Sequence, residues 1–482
     1  MNQLSTVQAP LRISQADNYA GNFGEVYRSS AIFWAKNSDK LQTTIAISNY
    51  WKFKNKTEVS VVINVRDLNG KLQNRHRPLF EASEVYNFRP PASFEGSVEI
   101  EAFSNKNIRI PYAAVMAVYE TDESVSMVHS YARAYAQHEI EDRRTICIGE
   151  ESCWTLRDSA SVFSFCVVHN GAQPQAPQRA RLSIRNAQGR ERSTEVLLAA
   201  LAPFQTLVIE ARTYFPDIAQ WLDGGIGNGR FSFQLNGGFT RMLCAVSTQD
   251  ESQLQVTHSN FDYSKHQTDK LDDTKAQAFM LTPPAPPGYL QEVVIYPDAC
   301  PGNYRYRHLG QWCSLEKSVP LRIAVEPGSG ADQRFDSEDG ALPTRIVTGF
   351  RFSSAAGVLP AECSYGIFHH LRPKKHYSWM VASLRLPTRI YWVDAQATIG
   401  GCPEEAELVF SLYTEDKLEP AMKKLTKSQL PFANSILLDS LFPDADFAQG
   451  GFAYLSAWCA YGGLVFFSSL EKDRSITIEH SF

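Results

Sequence analysis

Ser124-Val-Ser-Met-Val-His129-Ser130 returns as Ser252-Gln-Leu-Gln-Val-Thr-His258-Ser259, and again as Ser475-Ile-Thr-Ile-Glu-His480-Ser481. Each copy follows an acidic turn, and each turn follows an apolar run. The turns are Glu120-Thr-Asp-Glu123, Gln249-Asp-Glu251 and Glu471-Lys-Asp-Arg474. Alternation of β-branched and polar residues over five or six positions reads as a strand. A turn joining two such runs reads as a hairpin.

Upstream of each copy the same signals recur in the same order. Pro78, Pro203 and Pro431 precede Phe88, Phe215 and Phe442 by 10, 12 and 11 residues. Those phenylalanines precede the histidines by 41, 43 and 38 residues. Agreement within about five residues over a period above 100 predicts duplicated domains, since solenoid units are about 20–50 residues long. Strand candidates within the first unit include Thr43–Ser48, Glu58–Val65, Ser97–Phe103 and Ile110–Tyr119. Asn69-Gly70 supplies a hairpin turn. Long helical periodicity is confined to residues 131–142 and, more faintly, 265–275.

The fold class expected is therefore all-β. Three tandem, related antiparallel β-sandwich units, immunoglobulin-like or jelly-roll, carry an extra β segment before the third. The boundaries expected are 1–148 for the first unit with an N-terminal arm and 149–282 for the second. Residues 283–361 form a Pro-rich linker (Pro283-Pro-Ala-Pro-Pro287) and the extra segment, which is either an added half-sheet or a degenerate fourth unit. Residues 362–482 form the third unit.

Composition excludes several classes. The chain has 482 residues, 44% apolar and 21% charged, with net charge −5. That balance argues against nucleic acid as a partner. No apolar run is long enough to span a membrane, and Met1–Gln8 has no signal-peptide pattern. Nine cysteines without a C-x-x-C pair fit reduced thiols. The expectation is a cytoplasmic chain. Cys147 with Cys153, and Cys300 with Cys313, are the only pairs close enough in sequence for a local metal site or disulfide.

Strand phase places His129 with Val125 and Met127, His258 with Leu254 and Val256, and His480 with Ile476 and Ile478. Each imidazole takes the apolar phase, expected to face the core of its own unit at a sandwich rim. Two other roles stay open: contact with a ligand at a loop end, and convergence of all three on one axis to hold a divalent metal. Apart from that metal, no cofactor is expected. Two further clusters mix acids, histidines and aromatics. One comprises Asp262, Tyr263 and His266 after the second copy. The other comprises His369, His376 and Trp379, which would suit a ligand-binding loop.

No G-x-S-x-G, Walker A, H-E-x-x-H or Rossmann pattern occurs, and Gly224-Gly-Ile-Gly-Asn-Gly229 reads as a turn. The function expected is a non-enzymatic binding or assembly protein. It would present loops to a glycan or a protein partner, with self-association into a homo-oligomer. The alternative is an enzyme acting on carbohydrate, metal-dependent or not, with a His/Asp/Tyr site where the repeats meet.

Overall fold

The computed structural model describes residues 27–80, 83–106, 114–130, 146–236, 242–259, 277–296, 304–308, 311–316, 319–325, 332–337, 347–354, 357–365, 377–394, 401–445 and 451–481. The chain is all-β, and among the described residues the strands fall into eight antiparallel four-stranded sheets.

The first eight strands are β1 (Tyr27–Asn37), β2 (Leu41–Ser48), β3 (Ser60–Asp67), β4 (Leu72–His76), β5 (Val85–Phe88), β6 (Phe94–Ser104), β7 (Val115–Thr121) and β8 (Val125–His129). They form two sheets, β1-β6-β3-β4 and β5-β2-β7-β8. The same order recurs over the next eight strands, from β9 (Ile146–Leu156) and β10 (Val162–His169) to β15 (Leu243–Thr248) and β16 (Leu254–His258). It recurs again from β17 (Gln277–Leu281) to β23 (Val347–Ser353) and β24 (Ala361–Tyr365). The last cycle runs from β25 (Tyr377–Ser383) and β26 (Thr388–Asp394) through β30 (Phe452–Cys459) to β31 (Leu464–Lys472) and β32 (Ser475–His480). In every block, strands one, six, three and four make one sheet, and strands five, two, seven and eight the other.

The order therefore appears four times. Residues 277–365 hold a full set of eight strands, so the segment expected as an extra piece before the third unit has the same connectivity as its neighbours. The boundary expected at 361 runs through a sheet, because Phe352 pairs Ala361 and Thr348 pairs Tyr365. Among the described residues helical structure is limited to short turns such as Ile218–Leu222, which ends on Asp223 in the left-handed region before Gly224 turns the chain toward the following strand. The turn expected over the glycine-rich stretch 224–229 is confined to 224–226, since Gly227 already begins the strand Gly227–Asn236. The helix expected over 131–142, and the fainter one over 265–275, lie outside the described residues.

Alternation decides what each face covers. In the first block Val115, Ala117, Tyr119 and Val128 join Phe33, Ile45, Ile63 and Ile100 in one core. Met116, Val118, Val125 and Met127 point the other way, onto Val381, Phe452 and Tyr454 of the fourth block. Tyr454 closes that contact by donating its hydroxyl hydrogen to the Ala46 carbonyl, 2.9 Å away. Likewise Leu254 and Val256 pack into the core of the first block, and Ile476 and Ile478 into that of the third. Both faces of β7 are covered, which is why Val115–Thr121 begins as a near-continuous hydrophobic run.

Candidate functional site

The four eighth strands meet at the centre. They neighbour one another in a closed cycle, β8 to β16 to β24 to β32 and back to β8. Each is the edge of its sheet, where a row of backbone groups would be left without ladder partners. Small hydroxyl side chains fill that need. Ser126 Oγ donates to the Val256 carbonyl and accepts from the Val256 amide at 2.7 Å. Ser124 Oγ does the same for Leu254, accepting from its amide at 2.8 Å and donating to its carbonyl at 3.2 Å. Thr477 Oγ1 takes the Met127 amide at 2.9 Å, and Thr257 Oγ1 the Ser364 amide at 3.2 Å. Gln255 sends its amide Nε2 to the Val125 carbonyl, the Ser475 hydroxyl and the Ile476 carbonyl. The polar residues that alternate with the apolar ones are thus the seam between blocks.

Ladder register then brings four residues to one level. His129 is opposite Met116, His258 opposite Leu243, His480 opposite Phe467 and Tyr365 opposite Thr348. These are equivalent positions in the four blocks. The histidines do face apolar surroundings, but each turns away from its own block's core and into the junction, which corrects the expectation of a rim imidazole. The strands in between fix the reason. On its own sheet His129 shares a face with Met127 and Met116, and that face is covered by another block.

The three imidazoles converge. One ring nitrogen from each of His129, His258 and His480 lies within 4.8 Å of the other two. Ring centroids are 4.2 Å apart for His129 and His258, 5.1 Å for His129 and His480, and 6.5 Å for His258 and His480. The rings meet edge to face, at interplanar angles of 60°, 85° and 79°. The long pair is the diagonal of the four-strand cycle. Tyr365 holds the remaining corner with its ring centroid 4.9 Å from that of His480. The geometry is therefore three corners of four, where the sequence suggested a three-fold axis.

Two contacts set tautomers. His258 Nδ1 lies 2.9 Å from the Ser259 carbonyl oxygen. A carbonyl can only accept, so Nδ1 carries the hydrogen and, in the neutral ring, Nε2 carries the lone pair. His129 Nδ1 lies 3.2 Å from Glu479 Oε2, a carboxylate that is 4% exposed. An ionised carboxylate again requires the Nδ1 hydrogen and leaves the lone pair on Nε2. Glu479 Oε2 is also 4.0 Å from His480 Nε2. Burial first, and then the nearby Glu479 charge, pushes the Cys363 thiol well above its ordinary range. Burial does the same to the Tyr365 phenol. Both stay protonated near neutrality.

Two of these residues escaped the sequence reading. Tyr365 was readable once Ala361-Glu-Cys-Ser-Tyr365 is aligned with the histidine copies as a fourth member. Glu479 stands where the other copies have Val128, Thr257 and Ser364, so an acid at an inward-facing strand position was the signal. Trp379 was placed in a ligand-binding loop, but it lies buried in β25. It packs edge-on to Tyr50 and is tilted against Tyr413, with centroids 5.4 and 5.9 Å away. Its alternation with Ser378 and Met380 fits a strand buried on both faces. Asp262, Tyr263, His266, His369 and His376 lie outside the described residues. So does Cys300, and the side chains of Cys147 and Cys153 are likewise outside the description. Cys166, Cys244, Cys363, Cys402 and Cys459 are buried.

A second feature lies between the first two blocks. A cleft of about 220 Å³ is lined by Trp34, Lys36 and Glu95 on one side and Phe163, Glu210 and Glu251 on the other, among others. Lys36 Nζ pairs with Glu251 at 2.6 Å and stands 4.0 Å from Glu95. Trp34 Nε1 donates to Glu95 Oε1 at 3.3 Å. Phe163 stacks on Phe165, and the Arg212 guanidinium covers the Phe163 ring at 4.8 Å.

No protein-family model matches the chain, and no curated protein matches it. Among solved structures it has a likeness to a GH78 family rhamnosidase of Bacillus sp. GL1, at 8% identity and a TM-score of 0.12. That match covers 95% of this chain and 53% of the other, so the chain spans about half the length of that enzyme. At so low a score the likeness carries no argument. No helix among the described residues is long and apolar enough to cross a membrane.

Proposed function

We propose that the chain is a non-enzymatic binding protein built of four related β-sandwich units, and that the cleft between the first two units receives a short glycan. The observation that carries the reading is the make-up of that cleft. The partly buried Phe163 ring, on a floor formed by the buried Trp34 and Phe165, lines it together with Glu95, Lys36, Glu210 and Glu251. Apolar sugar faces stack on rings while hydroxyls bond carboxylates and ammonium groups, and a site of this type fixes orientation with a few polar groups on an apolar floor. Its volume suits one or two sugar residues. The near-complete burial of His129 and His258 supports binding over catalysis at the junction, because a carbohydrate chain has no approach to them in this conformation.

Titration calorimetry of the full chain against a panel of acidic and neutral oligosaccharides tests this. Saturable binding to some member, weakened tenfold or more in both Phe163→Ala and Glu95→Gln, is expected. No heat with any member at millimolar concentration, or binding that both variants leave intact, overturns it.

A protein partner is the second reading. It is favoured by the outer edge strands Leu72–His76, Gln311–Leu315 and Ala421–Thr426, which are exposed along most of their length and carry the exposed Leu72, Trp312 and Met422. Open edges of this kind accept an added strand. Met422→Pro should disrupt pairing at Ala421–Thr426, and a complex undiminished in that variant would exclude this edge.

A further inference from the structure

We propose that His129, His258 and His480 are the protein ligands of a divalent transition-metal site, with zinc the first candidate, that ties the first, second and fourth blocks together at the centre of the molecule.

Three observations converge on it. The first is distance. A zinc–nitrogen bond is about 2.0–2.1 Å, which sets each ring centroid about 3.2 Å from the ion and, at tetrahedral angles, separates centroids by about 5 Å. The separations here, 4.2, 5.1 and 6.5 Å, straddle that value. The ligand nitrogens lie within 4.8 Å of one another, against about 3.3 Å around a tetrahedral ion, so the rings need to draw in by at most about 1.5 Å. The second is ring orientation. All three pairs meet edge to face, as rings do when their nitrogens radiate from one point, and none stacks. The third is the tautomer. Nδ1 of His129 and Nδ1 of His258 both bond oxygen acceptors, Glu479 and the Ser259 carbonyl, which leaves the lone pair of each neutral ring on Nε2, the atom that would ligate. Carboxylate–histidine–metal and carbonyl–histidine–metal arrangements are the usual outer support of imidazole ligands.

The competing account is a buried His129–Glu479 ion pair with two bystander imidazoles. It explains Glu479, but it assigns no task to His258 and His480, which the repeat brings to the equivalent strand positions beside it. Glu479 is an acid at a position that is Val128, Thr257 and Ser364 in the other strands, and it lies 3.2 Å behind His129 Nδ1. Nitrogen-only donors suit zinc, copper(II), nickel or cobalt over calcium or magnesium, which take oxygen. Because the ligands come from blocks far apart in sequence, the site would stabilise the closed arrangement specifically, and binding free energy would show as folding free energy.

The full chain, stripped with chelator and desalted, is titrated with zinc and, separately, with cobalt(II). One equivalent per chain is expected, with the visible absorption of four-coordinate cobalt and a rise in melting temperature on zinc addition. His258→Gln and His480→Gln should each lose the equivalent. Glu479→Gln should bind 10- to 100-fold more weakly, the usual effect of removing an outer-shell partner. Should a histidine variant fail to fold, imidazole 15N–1H correlation spectra of the wild type with and without zinc decide the matter, since three of the eleven histidines should shift. Three outcomes overturn the proposal: no uptake by the wild type at micromolar protein with a tenfold excess of metal, a bound metal that both folded variants retain, or imidazole shifts confined to histidines other than these three.

Discussion

Replacing Ser126 by alanine should loosen the second block from the first, and the size of the effect follows from two hydrogen bonds. Ser126 is fully buried, and its Oγ serves both backbone groups of Val256, accepting from the amide at 2.7 Å and donating to the carbonyl at 3.1 Å. Val256 is itself buried, and its side chain sits in the first block's core, so water cannot replace the hydroxyl without opening the seam. An orphaned buried donor or acceptor costs about 1–3 kcal/mol. Two such groups, with partial relaxation, give an expected loss of about 2–4 kcal/mol. That corresponds to a rise of about 30-fold to about 1,000-fold in local opening at β16. Hydrogen exchange read by mass spectrometry on a peptide spanning 252–259 measures it, with a urea midpoint as the global companion. Ser126→Thr keeps the hydroxyl and should recover most of the protection. Ser130→Ala is the control. Ser130 Oγ is buried with no hydrogen-bond partner among the described residues, so its removal should change neither reading. If Ser126→Ala leaves exchange of that peptide within twofold of wild type, the side-chain seam is not what joins the blocks.

Two further predictions rest on other parts of the molecule. Burial lowers His169 from its ordinary value to about 3. Its neutral form is therefore the folded one, and the unfolded chain takes up a proton first as pH falls. The stability it contributes is complete above about pH 6.5 and is lost progressively toward pH 3, reaching about 1.4 kcal/mol per pH unit and a ceiling near 5 kcal/mol. Urea unfolding at pH 7 and pH 4.5 measures this, and His169→Gln should flatten the difference by about 2 kcal/mol; an unchanged pH dependence would reject the assignment. Gly70 lies at φ +82°, and a Cβ there would sit 2.1 Å from the Pro203 carbonyl oxygen of the second block. Gly70→Ala should cost about 2–4 kcal/mol, from left-handed backbone strain plus overpacking against a backbone atom that cannot swing aside. Gly288→Ala, also at positive φ but with open space around it, should cost about 1 kcal/mol in the same thermal melt; equal losses would remove the inter-block contact from the account.

Much of the β architecture was legible because strand signals are local. β-branched alternation, Asn-Gly and the acidic turns act over a few residues, and the ladders formed where those signals stood. The hairpin of β7 and β8 and the turn at Gly224 are examples. The repeat at 277–365 was harder to read because its eighth strand carries Tyr365 in place of histidine and its turn lacks the acidic cluster. Without those two marks its likeness to the others rested on strand order, which a sequence does not display. Trp379 was misplaced for a related reason. An aromatic beside a basic, histidine-rich stretch has the composition of a binding loop, and only burial on both faces shows it as core.

The sequence by itself determined that the chain is made of β-strands, that one hairpin recurs, and that a histidine in each copy takes the apolar phase. Period two is a property of the backbone, so phase needs no knowledge of partners. Which body lies on the far side of that face was decided by tertiary structure alone. Each inner sheet is covered twice, by its own companion sheet and by a neighbouring block, so an apolar phase points equally well to either. Only the closure of four edge strands into a cycle, held by Ser126, Thr257 and Thr477, sends His129, His258 and His480 to one place and leaves Tyr365 at the fourth corner.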